Sequence, residues 1–221
     1  MLRRLLIAVL VLILAAVVVV DRVGEHVAAH VLAGKLQTDE HLAKRPSVSI
    51  GGIPFLTQAF GGDYHDVSVT AHGVKTQDGV TISTLKAHLH DAHIPFSKVL
   101  GGSVAKVPID RVDGSAFVSF GDISHYLSGQ GLSVTLSRAA PGGITLIGQV
   151  PLAGRTRLVH AVVHVAVSHS VVTLAGSSHA GALALPIPLR ALPFRFAITS
   201  VTVGADGITG TGTANHVTLG S

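Results

Sequence analysis

The sequence predicts an α+β fold, with a helical N-terminal region followed by a curved antiparallel sheet of long strands. Three observations predict it. Residues 1–45 contain no proline and place apolar side chains at helical spacing. Most of the remaining chain alternates apolar and polar residues with a period of two, in runs bounded by Gly, Pro and Asp. Glycine is abundant, at 25 residues, and β-branched residues dominate the middle and end, a composition suited to strands that bend. A chain of 221 residues buries a full core within one domain. The expected division is residues 1–20 as a membrane anchor or signal segment and residues 21–221 as a single domain.

Arg3 and Arg4 precede sixteen uninterrupted apolar residues, Leu5 to Val20, and Asp21-Arg22 end the run. As a helix it rises roughly 24 Å at about 1.5 Å per residue, slightly short of a ~30 Å hydrocarbon core. No small-residue cleavage site follows, because Val17 to Val20 are all β-branched. An uncleaved anchor is therefore favoured over a cleaved signal, with secretion after cleavage as the alternative. The two arginines put the N-terminus in the cytoplasm and the rest of the chain outside. Asp21 to Lys44 reads as an amphipathic helix continuing from the anchor, with Val23, Val27, Val31 and, offset by one, Leu32 and Leu36 on the face that packs against the sheet; a helix lying on the membrane surface is the alternative for this segment. Pro46 closes it.

Val48 and Ile50 share one face of a first strand, and Gly51-Gly52 interrupts it. Ile53-Pro54-Phe55-Leu56 forms an apolar plug, a short helical link follows, and Val67, Val69 and Ala71 share a face of the next strand. Asp78-Gly79 signals a hairpin between strands Tyr64–Val74 and Val80–Ala92. Ala105–Asp110 and Ser115–Phe120 read as two strands joined at Asp113-Gly114. Asp122 is placed to cap a short helix over Asp122–Leu127. Leu132–Arg138 and Ile144–Val150 are strands, and Arg157–Ser168 alternates most cleanly, with Val159, Ala161, Val163, Val165 and Val167 on one face. The segment Leu185–Leu189, with Pro186 and Pro188, is too proline-rich for a central strand. Phe194, Phe196 and Ile198 alternate again, and Ile208–Leu219 closes the sheet.

Several function classes lack their residues. Cysteine is absent, which removes disulfides and thiolate metal sites. The formal charge of +4 permits weak attraction to anionic headgroups, and no basic block points to nucleic acid. Glu25 and Glu40, the sole glutamates, both lie in the first helix, and most aspartates sit at turn positions. No nucleophile elbow, phosphate-binding loop or zinc-binding helix motif occurs, so no catalytic residue is assigned. Fourteen histidines raise a metal reading, which would need His88, His90 and His160 to converge. Histidines on solvated faces are the plainer expectation, and neither metal nor cofactor is assigned.

The segment from Pro46 to Ala71 carries a resemblance. Pro46, Val48, Ile50, Gly51, Pro54, Phe55, Leu56, Thr57, Gln58, Gly62, Tyr64, Val67 and Val69 are similar to the opening of an actinobacterial family of exported lipid-binding proteins. That family, formerly a domain of unknown function, includes the mycobacterial lipomannan elongation factor. The order of elements fits it to about Ser221, with only this segment motif-specific. Ile53, inserted after the doubled glycine, is a departure. The resemblance implies a helix cradled by a strongly bent sheet, similar to tubular lipid-binding domains, with lipid tails inside. It implies a non-enzymatic, membrane-anchored protein of the cell envelope that binds or transfers phospholipid or a lipid-linked glycan precursor. The expected lining is Ile50, Ile53, Phe55, Leu56, Phe60, Val67, Val69, Phe96, Leu100, Phe117, Phe120, Phe194 and Phe196. Arg155, Arg157 and Arg195 are candidates to meet phosphate. Pattern alone does not separate a filled tunnel from a dry core, so a scaffold with a solid interior remains the alternative.

Overall fold

The computed structural model describes residues 2–95, 97–98, 107–140, 142–152, 155–168, 171–178, 181–188 and 197–219. Helix α1 (Leu2–Asp39) runs unbroken through Asp21-Arg22, so the apolar run and the amphipathic segment are one rod. It stops before Lys44: His41 takes a positive φ, and the Arg45 guanidinium folds back to donate to the His30 carbonyl at 2.7 Å. This reversal delivers the chain to β1 (Ser47–Gly51).

Helix α2 (Phe55–Gly61) follows, then β2 (Asp63–Lys75), β3 (Thr81–His93) and β4 (Val107–Ser119). The Thr76 hydroxyl locks the β2–β3 turn by donating to the Val80 carbonyl and accepting from its N–H, both at 3.1 Å. Strand β4 runs straight through Asp113-Gly114, where the sequence suggests a turn. Gly114 pairs with Ala87 and Gly212, and the Asp113 carboxylate is used on the outer face. Helix α3 (Phe120–Gly129) is capped by Ser119, whose hydroxyl accepts from the Asp122 N–H at 3.0 Å. Asp122 instead takes hydrogen bonds from the Ser119 and Ser83 hydroxyls, tying the helix start to β3.

Strands β5 (Ser133–Ala139), β6 (Gly143–Leu152), β7 (Arg155–Ser168), β8 (Val171–Ser178) and β9 (Gly181–Pro188) form a second sheet in sequence order. Strands β10 (Ala197–Val203) and β11 (Gly207–Leu219) return to the first, whose order is β1-β2-β3-β4-β11-β10. Every pairing is antiparallel, and the sheets are open and curled rather than closed. The α+β class with an N-terminal helix and curved antiparallel strands is as the sequence predicts. The proline-rich Leu185–Pro188 segment lies in β9, an edge strand, where a missing N–H is tolerated.

Two buried clusters hold the fold. One joins α3 and the β4–β11 end of the first sheet to the second sheet, with Ile82, Ile144, Leu146, Val163 and Leu174 sealed from water. The other joins α1 and α2 to β1–β4 through Phe55, Tyr64, Val67, Leu89 and Val112.

Gly62 sits where these constraints meet. It ends α2 in the left-handed region at φ 77°, its N–H donates to the Gln58 carbonyl, and its carbonyl accepts from the Ile94 N–H. A Cβ there would lie 3.2 Å from the Ile94 oxygen. Gly62→Ala should therefore cost about 1–2 kcal/mol, read as a lower denaturant midpoint of the full chain.

Candidate functional site

Register defines the inner face of the first sheet. Ile50, Val67, Leu89 and Val112 lie in one cross-strand row, and Val48, Val69, Ala87, Gly114 and Gly212 in the next. Ala71, Leu85, Ala116 and Gly210 form a third row. The first two rows belong to the cluster under α1, whereas Leu85 and Ala116 pack on the cluster under the second sheet. Among the described residues the clusters do not merge. Along the seam between them Val48, Val69, Leu85 and Ala116 are half-buried, so the inner face retains accessible apolar surface there.

The outer face is polar. Asp66, His90, Arg111 and Asn215 share one row, and Ser68, His88, Asp113 and Thr213 the next. Hydrogen bonds from the Arg111 guanidinium hold the Asp113 carboxyl below its usual range, helped by His90 at 3.0 Å. His88 meets the Ser68 hydroxyl at 3.0 Å, and His65 meets Asp91 at 3.1 Å. His160 and His164 are exposed on β7 of the other sheet, and no metal-sized group of three such residues gathers among the described residues.

Helix α1 meets the sheet through a different face from the one its valines suggest. Asp21, Glu25, Ala28, Ala29 and Ala33 are buried, while Val23 and Val27 face outward. Small side chains let the helix backbone approach closely. Gly24 lies under the Phe55 ring, where a Cβ would be 3.4 Å from the ring edge. The two acids are buried because they accept backbone N–H groups: Asp21 from Leu56 at 2.8 Å, and Glu25 from Ile50 at 3.5 Å. Gln58 completes the joint, donating to the Gly51 carbonyl and accepting from the His65 N–H, each at 3.1 Å.

The residues singled out from the sequence are distributed as follows. Ile50, Phe55 and Val67 are buried together in the α1-side cluster, with Leu56 and Val69 half-buried against it. Phe120 is buried in the other cluster. Phe117 falls on the outer face, in register with Thr84 and Thr209. Ile53 and Phe60 are 81% and 85% exposed, so Phe55 alone of the expected plug is fully inside. Phe96, Leu100, Phe194, Phe196 and Arg195 lie outside the described residues. Arg155 and Arg157 are exposed on β7.

One polar group inside the apolar region was not singled out. Tyr64 is 2% exposed, its ring centroid is 6.3 Å from that of Phe55, and its buried hydroxyl has no partner among the described residues. Buried hydroxyls ordinarily find a partner. The signal in sequence was its period-2 position with Val67 out of phase, which a β2 read strictly by alternation does not resolve.

Burial raises the Tyr64 hydroxyl pKa above its ordinary 10.0. Burial also raises that of Tyr126, with the Asp78 charge adding to it. Titration of the folded chain should therefore show less tyrosinate absorbance than the unfolded chain at pH 10.0. Both folded values exceed the unfolded ones, so the associated stability is complete below the unfolded pKa and is lost as pH rises through the folded values. Equal absorbance in folded and unfolded chains would mean the hydroxyls are wet.

The family model described as LmeA-like phospholipid-binding covers residues 19–213. No curated protein and no solved structure matches the chain.

Proposed function

The chain belongs to the LmeA-like phospholipid-binding family, and from that premise we propose that it is a membrane-anchored, non-enzymatic protein of the cell envelope. In this reading it holds or transfers phospholipid, or a lipid-linked glycan precursor, with acyl chains on the inner face of the first sheet. The family match over residues 19–213 is the observation that carries the reading. The half-buried seam of Val48, Val69, Leu85 and Ala116 supports it, because acyl chains laid there gain about 0.8 kcal/mol per buried CH₂. Ala87, Gly114, Gly212 and Gly210 add little side-chain bulk to the floor of that seam and so leave it deep.

Of the expected lining, Ile50, Leu56, Val67 and Val69 fit this location best. Tyr64 supplies a hydroxyl donor suited to a glycerol ester or phosphate oxygen. The second sheet suits a structural role, since its Ile144, Leu146, Val163 and Leu174 are closed against their own neighbours. The apolar run Leu5–Val20 serves as the anchor. Arg3 and Arg4 favour a cytoplasmic N-terminus with the sheets on the other side.

A photoactivatable phospholipid incubated with the full chain should crosslink to peptides of β2, β3 and β4, and Ala116→Phe should reduce that labelling severalfold. Crosslinks confined to α1 would count against an interior site. Tyr64→Phe should fold normally and lose roughly tenfold in lipid retention, about the 1.4 kcal/mol of one hydrogen bond. Unchanged retention would remove Tyr64 from the site.

A further inference from the structure

An exposed apolar surface flanks the C-terminal end of the apolar run. On a helix, the neighbours of Gly24 at i−4 and i+3 are Val20 and Val27. Both are exposed, and so is Val23. Leu56 rests on Gly24 from α2, where a Cβ would be 3.8 Å from its Cδ2. Phe60 lies one helical turn beyond Leu56, and Ile53 lies in the loop just ahead of α2. Ile53 and Phe60 are 81% and 85% exposed, more than any other large apolar side chain outside α1 among the described residues. Val23, Val27, Leu56, Ile53 and Phe60 thus extend the apolar surface of the span sideways onto the domain.

The acids at this level are turned away from that surface, and the partly exposed Arg22 and exposed His26 beside Val23 and Val27 are polar groups at its rim. Asp21 and Glu25, the first acids after the run, are buried and accept the N–H groups of Leu56 and Ile50. The dimensions agree. Leu5–Val20 supplies roughly 24 Å against a ~30 Å hydrocarbon core, a deficit of about four residues at 1.5 Å each. Val23 and Val27 lie three and seven residues past Val20 and make up the shortfall on one side of the helix.

We propose that this patch is a membrane-docking shoulder: the bilayer that holds α1 also covers Val23 and Val27 and receives Ile53 and Phe60 at its outer interface. The inference rests on the reading of α1 as an anchor. It assigns the patch to lipid because the patch continues the same apolar helix, with α2 fixed to that helix by the Asp21–Leu56 hydrogen bond. The α1 end of the first sheet then sits at the membrane surface, next to the source of its ligand.

The absence of cysteine makes the test direct. Single variants Leu12→Cys, Ile53→Cys, Phe60→Cys and Leu158→Cys of the full chain are spin-labelled and reconstituted in phosphatidylcholine–phosphatidylglycerol vesicles. Accessibility to oxygen is compared with that to a water-soluble nickel complex. Leu158, 77% exposed on the second sheet, is the aqueous reference. Labels at 53 and 60 should favour oxygen several-fold over the label at 158. If they match 158 while the label at 12 lies in lipid, the anchor stands and the shoulder is wrong. If the label at 12 is also aqueous, the anchor reading fails and takes the shoulder with it.

Discussion

The Asp21 carboxylate, one residue beyond an apolar helical run, is the constraint on which the arrangement of the rest depends. An acid in that position lies between an exposed apolar run on one side and a packed domain on the other. Its charge needs donors, and the Leu56 N–H provides one at 2.8 Å. Glu25 repeats the device one turn later with Ile50. Two long-range backbone contacts therefore fix the rotation of α1 about its axis, the start of α2 and the position of β1. Since α1 has no break between Leu2 and Asp39, the same contacts fix the domain against the apolar run itself.

The small residues follow from that constraint. A helix held by short hydrogen bonds to neighbouring backbone must lie close to it, and Gly24, Ala28, Ala29 and Ala33 leave the room. On the sheet, Ala87, Gly114, Gly212 and Gly210 do the same at the inner face, while the large aliphatics collect in two separate clusters. Small residues therefore mark both places where the backbone of the first sheet and of its covering helix carries little side-chain bulk.

Much of this architecture was legible from periodicity. The alternation of β7 gave its buried face directly, with Val159, Ala161 and Val163 inside and His160 and His164 outside. The errors came where one local signal has two uses. Hydrophobicity alone ranks valine above alanine, yet close helix packing selects alanine, so Val23 and Val27 fall outside the buried face of α1 while Leu32 packs against it. Asp-Gly is a strong turn signal, but at Asp113-Gly114 the carboxylate serves Arg111 and His90 across the outer face while glycine serves the inner one. In the candidate site, Ile50, Phe55 and Val67 were readable as interior residues because they lie on regular elements. Ile53 and Phe60 were not, since no period carries across the junction between a loop and a short helix. The parity of Phe117 became clear only once β4 was known to be continuous.

An open sheet also has rims, and β9 forms one of them. Its Pro186 and Pro188 have no amide hydrogen at two alternating positions. A neighbouring copy arriving alongside finds carbonyls there but no matching donors, so strand-by-strand polymerisation along this rim is disfavoured.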